Sequence, residues 1–457
     1  MTHMTTKAAL TVDAEISAPV FLCTAEQWSE GVELPRGLAA AAKAQGFKAV
    51  SGQLVQTASD AGIPDGILFG LGDGKDGLAL AALSARLMPG DYHLARDAGL
   101  PFAQLAAGWV DGAYRFDRYI KAESPPRLLI PEDQPAGPAL MEAQAVQRLR
   151  DMVNTPAEDM GPVAIEAEIR TLAEAFGATL VCTEGEALLA GNYPMIHAVG
   201  RAGPQSPRLI ELSWGDPEAP ELAIVGKGVA FDTGGLNLKT GNYMRLMKKD
   251  MGGAAHAIAL AELVMAAALP VHLKLYVPAV ENAISGTAFR PGDVLSSRKG
   301  LSVEIDNTDA EGRLILGDAL TRASETDPDL IIDFATLTGA ARVALGPDLA
   351  PFYTDDDELA AAIEAGARAS GDPVWRMPLW APYLAGLKSP IADLVNSTSD
   401  GMAGSVTAAL FLQKFVSAPR WVHLDVWAWR KAKYGRPEGG AACGLRAMWA
   451  MLQARYR

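Results

Sequence analysis

From residue 162 onward the chain alternates short apolar runs with longer helical stretches, and this pattern restricts the fold more than any other feature. The runs at 178–182, 208–214, 221–226, 271–277 and 329–334 read as strands, and the stretches 163–176, 252–268 and 313–324 read as helices. Strands that alternate with helices predict an α/β fold with a mixed, largely parallel central sheet flanked by helices. Upstream, to about residue 130, a buried strand at 66–70 and an alanine-rich helix at 77–88 predict a smaller N-terminal α/β domain. Pro125-Pro126 and Pro131-Glu132-Asp133-Gln134-Pro135 punctuate the chain as a linker. A helix over 139–153 follows and stops at Asn154-Thr155-Pro156. The expected organisation is an N-terminal α/β domain over 1–135, a connecting helix and linker over 136–160, and a larger C-terminal domain over 161–457.

Charge narrows the partners. Lys plus Arg number 40 against 54 Asp plus Glu, a formal charge of −14. Such a surface repels phosphate backbones and anionic lipid, so neither nucleic acid nor a membrane is an expected partner. Cys23, Cys182 and Cys443 are far apart and form no C-x-x-C pair, as expected of reduced thiols. The start, Met1 to Lys7, lacks the basic and apolar parts of a signal peptide. The apolar stretch 254–271 is interrupted by His256, Glu262 and Pro270, which suits a packed amphipathic helix better than a membrane span. The expectation is a soluble, cytoplasmic protein.

Two segments concentrate chemistry. One runs from Val225 through Gly226-Lys227-Gly228-Val229-Ala230-Phe231-Asp232-Thr233-Gly234-Gly235 to Lys239; the other is Asn307-Thr308-Asp309-Ala310-Glu311-Gly312-Arg313. Between them lies Met247-Lys248-Lys249-Asp250. In an extended segment Asp309, Glu311 and Arg313 point to one face at about 7 Å per step, with Ala310 and Gly312 keeping the backbone slim. Two carboxylates so placed can hold metal ions about 4 Å apart. A polar loop before a helix starting near Gly312 is the alternative. Glycines after the strand 221–226 let backbone approach a ligand. A dinucleotide loop there lacks its third glycine, where Phe231 stands, and a phosphate loop fails because Gly228 follows Lys227. Asp250, just before Gly252-Gly253, also suits a helix N-cap. No H-E-x-x-H or G-x-S-x-G motif occurs, and His197, His256, His272 and His423 sit in strand or helix patterns as structural residues.

N-T-D-A-E-G-R with an upstream G-K-G-x-x-F-D-x-G-G-x-x-x-K closely resembles the leucyl aminopeptidase family, the cytosolic two-metal aminopeptidases. The resemblance extends through Asp333 to Ala340, Ala403-Gly404-Ser405 and Trp421 to Asp425, and covers about residue 150 to the C-terminus. It implies that the larger domain hydrolyses the N-terminal residue from short peptides with a free amino terminus. By the same resemblance, Asp232, Asp309 and Glu311 ligate one metal, and Lys227, Asp232, Asp250 and Glu311 ligate the other. Two divalent ions per subunit are implied, manganese or zinc, with magnesium or cobalt as alternatives. Lys227 would bind as a neutral amine.

In the implied mechanism a water or hydroxide bridging the metals attacks the scissile carbonyl. Lys239 polarises that carbonyl, and Arg313 holds a bicarbonate that shuttles protons. Met247, Thr336, Leu337 and Gly339 match substrate-binding positions. The resemblance also implies a homohexamer. Thr233 stands where serine is common, and Thr240-Gly241 replaces a proline-containing turn after Lys239. Two other functions are carried forward: a DNA-binding architectural or regulatory role, as in some relatives, and a nucleotide-binding enzyme using the Gly226 loop.

Overall fold

The computed structural model describes residues 8–457 except 61, 63, 77 and 433–435. The first seven residues, on which the expected absence of a signal peptide partly rests, and Gly77 lie outside the described residues. The chain divides into two compact units. One comprises residues to Gln147 with 370–372 and 431–439; the other comprises 148–369, 373–430 and 440–457.

The first unit is built on a six-stranded sheet in the order Leu10–Thr11, Pro126–Leu129, Gly90–Arg96, Ala18–Cys23, Pro64–Gly70, Leu54–Ala58. All neighbours are parallel except the last pair. Its core gathers Val20, Leu22, Ile67, Phe69 and Leu128 around the fully buried Trp109 of helix Phe102–Ala113. Two expectations are corrected here. Pro126 does not belong to a linker; it opens a strand and pairs with Gly90. The helix expected over 77–88 shrinks to Ala81–Ser84, because the flanking residues form turns.

The second unit is built on a nine-stranded mixed sheet. Its centre is three parallel strands, Glu221–Gly226, Leu330–Ala335 and Trp421–Asp425, with His272–Asn282 parallel to the first. Antiparallel strands Arg208–Trp214 and Thr179–Glu184 extend one edge. The mixed, largely parallel sheet is as expected, and most expected elements fall within a few residues of those observed.

Helix Gly252–Ala266 packs on strands Glu221–Gly226 and Leu330–Ala335 and against helices Pro162–Phe176 and Leu445–Tyr456. It is not amphipathic: every residue from Gly252 to Met265 is buried. Its alanines and glycines present little side chain, so any face can lie against a neighbour. A Cβ at Gly253 would stand 2.3 Å from the Phe334 carbonyl oxygen, and one at Gly226 would stand 2.7 Å from Ala254 Cα. Glycine at 226 therefore lets helix and strand meet backbone to backbone, a packing reason for a glycine at this position. Among the described residues no helix is long and apolar enough to cross a membrane.

A small three-stranded sheet, Val294–Ser296, Ser302–Glu304 and Leu394–Val395, completes the frame of the site. It brings Asn396 beside the loop that carries Asp309.

Candidate active site

The parallel strands end together, and ligands of such sheets gather beyond the carboxyl ends of the strands. Lys227 follows strand Glu221–Gly226, Thr336 follows Leu330–Ala335, and Asp425 closes Trp421–Asp425. Asp232 ends strand Gly228–Asp232, held by Asn282 Nδ2 and the Gly234 amide, each donating to Oδ1 at 2.8 Å. Asp250 lies in the 3-10 segment Gly241–Met251. The helix following it is capped by Met251, so the N-cap alternative for Asp250 does not hold.

The loop before helix Gly312–Ser324 departs from the extended form expected. Asn307 Oδ1 accepts from the Asp309 amide at 2.8 Å, turning the chain, and Glu311 sits at the helix cap with Arg313 in the first turn. The helix-start alternative is the correct one for the backbone. The acids nevertheless converge: one carboxylate oxygen from each of Asp232, Asp309 and Glu311 lies within 4.8 Å of the others.

Two lysines thread this group. Lys227 Nζ is 2.7 Å from Asp250 Oδ2 and 3.0 Å from Glu311 Oε1, and donates to the Thr336 carbonyl at 2.9 Å. Lys239 Nζ is 2.7 Å from Asp232 Oδ2 and donates to Asp309 Oδ1. All five expected ligands and Lys239 therefore share one cage. Lys227, Asp232, Asp250 and Glu311 are buried within it, and the Asp309 side chain keeps 34 % of its exposure.

The electrostatics follow from crowding. Burial and the neighbouring Asp232 push Glu311 up to about 8, against the pull of Lys227. Burial and Asp232 likewise push Asp309 up to about 6, opposed by Lys239. Burial works against the charge on Lys227, but Asp250, Glu311 and Asp232 outweigh it and hold the amine above its ordinary value. Without metal, Lys227 is thus an ammonium counter-ion; the neutral-amine role expected of it requires a cation in the cage.

Arg313 is buried, and its Nη1 donates to the Asn396 carbonyl at 2.6 Å. Burial lowers its guanidinium to about 10, opposed by Glu311 and Asp425, so it stays cationic at neutral pH. Its Nε has no hydrogen-bond partner among the described residues.

Of the expected substrate residues, Thr336 touches the cage, and Met247, Leu337 and Gly339 are carried on the two segments that contribute Asp250 and Thr336. Met247 is buried on the 3-10 segment, three residues before Asp250, and such residues share a face in a 3-10 turn. Thr336 ties into the cage twice, through its carbonyl on Lys227 and its hydroxyl donating to the Asp250 carbonyl at 2.8 Å. Asp425 accepts from the Leu337 and Thr338 amides at 3.0 and 3.1 Å and from the Thr338 hydroxyl at 2.6 Å. Gly339 is exposed at the start of helix Gly339–Leu345.

Four residues hold the site in place in a role that sequence reasoning did not assign. Asn396 accepts from the Asp306 and Asn307 amides and donates to the Asn307 and Ala310 carbonyls, clamping the Asp309 loop. Thr308 donates to the Gly234 carbonyl and accepts from the Asn237 amide, joining the two motif loops. Asn282 and Asp425 act as described. A buried asparagine far along the chain gives no periodic signal, whereas Thr308 and Asp425 stand inside the motifs without any local sign of the contacts they make.

Two histidines fill structural roles, as expected. His256 Nδ1 lies 2.6 Å from the Gly252 carbonyl, its Nε2 accepts from the Cys443 amide, and burial lowers it to about 4, a neutral ring. His423 pairs with Asp333. Cys23 and Cys182 are free thiols.

Comparison with known proteins places the chain in a family. The catalytic-domain profile of the cytosol aminopeptidase family matches residues 147–449, and that of the M17 aminopeptidase N-terminal domain matches residues 23–131. A probable cytosol aminopeptidase of Syntrophotalea carbinolica is 40 % identical over 380 residues, covering 78 % of this chain and 76 % of that protein. The crystal structure of a cytosol aminopeptidase from Coxiella burnetii superposes with a TM-score of 0.91 at 42 % identity, covering 97 % of this chain and 98 % of the other. The bottromycin maturation enzyme BotP in complex with Mn gives 0.85 at 34 % identity, covering 97 % and 100 %. Sequence motifs, profile and fold therefore converge: the chain belongs to the cytosol aminopeptidase family and is a leucyl-type aminopeptidase that hydrolyses N-terminal residues from its substrates.

Proposed function

We propose that this enzyme cleaves short peptides at a two-metal centre held by Lys227, Asp232, Asp250, Asp309 and Glu311. The carrying observation is the cage itself, with four carboxylates and two lysine amines meeting at the carboxyl edge of the sheet. The donor set fits divalent ions. Asp250 Oδ2 and Glu311 Oε1 are buried without a hydrogen bond, their close neighbour being the Lys227 amine. Oxygen ligands with one nitrogen suit manganese, magnesium, cobalt or zinc, and the Mn complex of BotP supports manganese. Bound there, divalent ions would polarise the carbonyl and lower the pKa of a water nucleophile.

The remaining roles fall to the chain. With divalent ions bound, Lys227 would hold one of them as a neutral amine, its proton released to solvent. Lys239, no longer neutralised once Asp232 and Asp309 are ligands, holds its ammonium toward the oxygen that gains charge. Arg313 anchors a bicarbonate proton shuttle, for which its unpartnered Nε leaves a donor. Arg313 itself is not the base, because its guanidinium stays protonated. Thr336, Leu337 and Gly339 orient the peptide backbone, and Met247 lines the pocket for its first side chain. The working form is a cytoplasmic homohexamer, which sedimentation of the purified protein checks.

Metal analysis of the purified protein, beside rates on leucine and alanine amides before and after chelation, tests the reading. Chelation should abolish hydrolysis, and manganese should restore it. Asp309→Ala and Glu311→Ala should lose metal and activity together, whereas Lys239→Ala should keep metal and lose kcat. A metal-replete Lys239→Ala enzyme at full kcat removes Lys239 from the mechanism.

A further inference from the structure

Beside the cage stands a group of cations for which the proposed mechanism has no use. In an acidic chain, Lys248, Lys249 and Arg342 gather on two tryptophans. Lys249 Nζ lies 4.0 Å from the centre of the Trp427 ring and 3.4 Å from Asp250 Oδ1. Arg342 Cζ lies 4.4 Å from the centre of the same ring. Lys248 Nζ is 5.4 Å from the Trp429 ring and donates to the Asn154 carbonyl at 2.5 Å. Lys249 has a carboxylate neighbour in Asp250. Arg342 forms no ion pair among the described residues, and its Nε is buried without a hydrogen-bond partner.

The place of Arg342 in the fold makes this significant. It rides on helix Gly339–Leu345, which continues from the Thr336–Thr338 segment tied to Lys227 and Asp250. Trp427 follows Asp425, which holds the Leu337 and Thr338 amides. The two segments meet at the cage. A methyl group on Gly252 would stand 2.3 Å from Ala428 Cβ and 3.0 Å from Thr336 Cγ2. Linked through Trp427 and Lys249, the guanidinium lies within about 12 Å of Asp250, a span that some three extended residues cover at ~3.5 Å each.

We propose that Arg342, seated on Trp427, is a specificity residue that binds a carboxylate of the peptide substrate. A guanidinium is weakly hydrated, stacks on aromatic faces and offers a planar fork of donors matched to a carboxylate. The ring, 4.4 Å away, restrains the side chain and covers one face of it, and no anion pairs with it among the described residues. A substrate carboxylate completes the set. Two sources share this chemistry: the C-terminal carboxylate of a short peptide, and the side chain of an acidic residue. The inference rests on the aminopeptidase activity, and hydrolysis of leucinamide, which has no carboxylate, checks that activity separately.

The test is kcat/KM for the manganese-loaded wild type, Arg342→Gln and Arg342→Lys on matched pairs. Leucyl-glycyl-glycine against its C-terminal amide probes the chain terminus. Glutamyl against glutaminyl amide, and leucyl-glutamyl against leucyl-glutaminyl amide, probe side chains. The wild type should favour the charged member of at least one pair by about ten-fold, mainly through KM. Arg342→Gln should bring that ratio near one, and Arg342→Lys should restore part of it. The pair that responds identifies which carboxylate is read. A purely structural arginine would slow both members of every pair alike and leave the ratios unchanged. That result, or a wild type with no preference for charge in any pair, overturns the proposal. A wild type inactive on leucinamide would instead overturn the aminopeptidase reading.

Discussion

Replacing Gly312 by alanine sets two physical effects against each other. Gly312 opens helix Gly312–Ser324, and exchanging a helical glycine for alanine normally stabilises by about 1 kcal/mol. The added Cβ would stand 2.5 Å from Lys227 Cε and 2.8 Å from both its Cδ and Nζ. Carbon atoms in good contact lie about 3.5–4.0 Å apart, so the lysine would have to retreat by ~1 Å. A lysine at the surface would do so at no cost. Lys227 is 2 % exposed, and its Nζ is gripped by Asp250, Glu311 and the Thr336 carbonyl. Overpacking a buried site costs about 1–3 kcal/mol, and weakening a hydrogen bond to a charged group costs about 1.5–3 kcal/mol more.

The clash should outweigh the propensity gain, leaving the chelated variant about 1.5–5 kcal/mol less stable, with Tm lower by about 2–5 °C in calorimetry. Its manganese affinity, read by titration calorimetry, should fall as well. In a Lys227→Ala background the obstacle is gone, and the same change should become neutral or stabilising. A Gly312→Ala single variant with raised Tm and unchanged manganese affinity would refute the claim that Lys227 is fixed in the cage.

Asn396→Ala removes a side chain that makes four hydrogen bonds to the Asp309 loop and should cost about 2–4 kcal/mol. Metal affinity and kcat should drop together; a variant that loses stability alone would show that Asn396 does not position the ligands. His423 gives a pH signature. Burial acts to lower its value, but Asp333 at 2.6 Å outweighs it and raises the ring above the ordinary 6.5. The stability it contributes is therefore fully present below that ordinary value and is lost as pH rises through the folded one. The stability gap between chelated wild type and His423→Gln should be widest near pH 6 and should narrow toward alkaline pH. A gap that widens with pH would mean the ring is buried neutral.

The structure departs from the sequence reading where packing, rather than local pattern, decides. The alternation of strand and helix after residue 162 was legible, because each period reflects only how a residue faces its near neighbours. The glycine and alanine content of residues 252–268 concealed a helix buried on all sides, since small apolar residues mark no single face. The spacing of Asp309, Glu311 and Arg313 left an extended segment and a loop before a helix both open, and a turn closed by Asn307 and clamped by Asn396 brings the first two acids together.

By itself, the sequence determined which residues are candidates for the chemistry and most of the elements that bear them, because a motif lists side chains and a hydrophobic period reports local geometry. Only the tertiary structure decided how those residues meet. Asn282 reaches Asp232 across 50 residues, Asp425 reaches Leu337 across 88, and Asn396 reaches Asp306 across 90. Such contacts depend on strand order and on small glycine-lined gaps between buried backbones, and neither has a periodic trace along the chain.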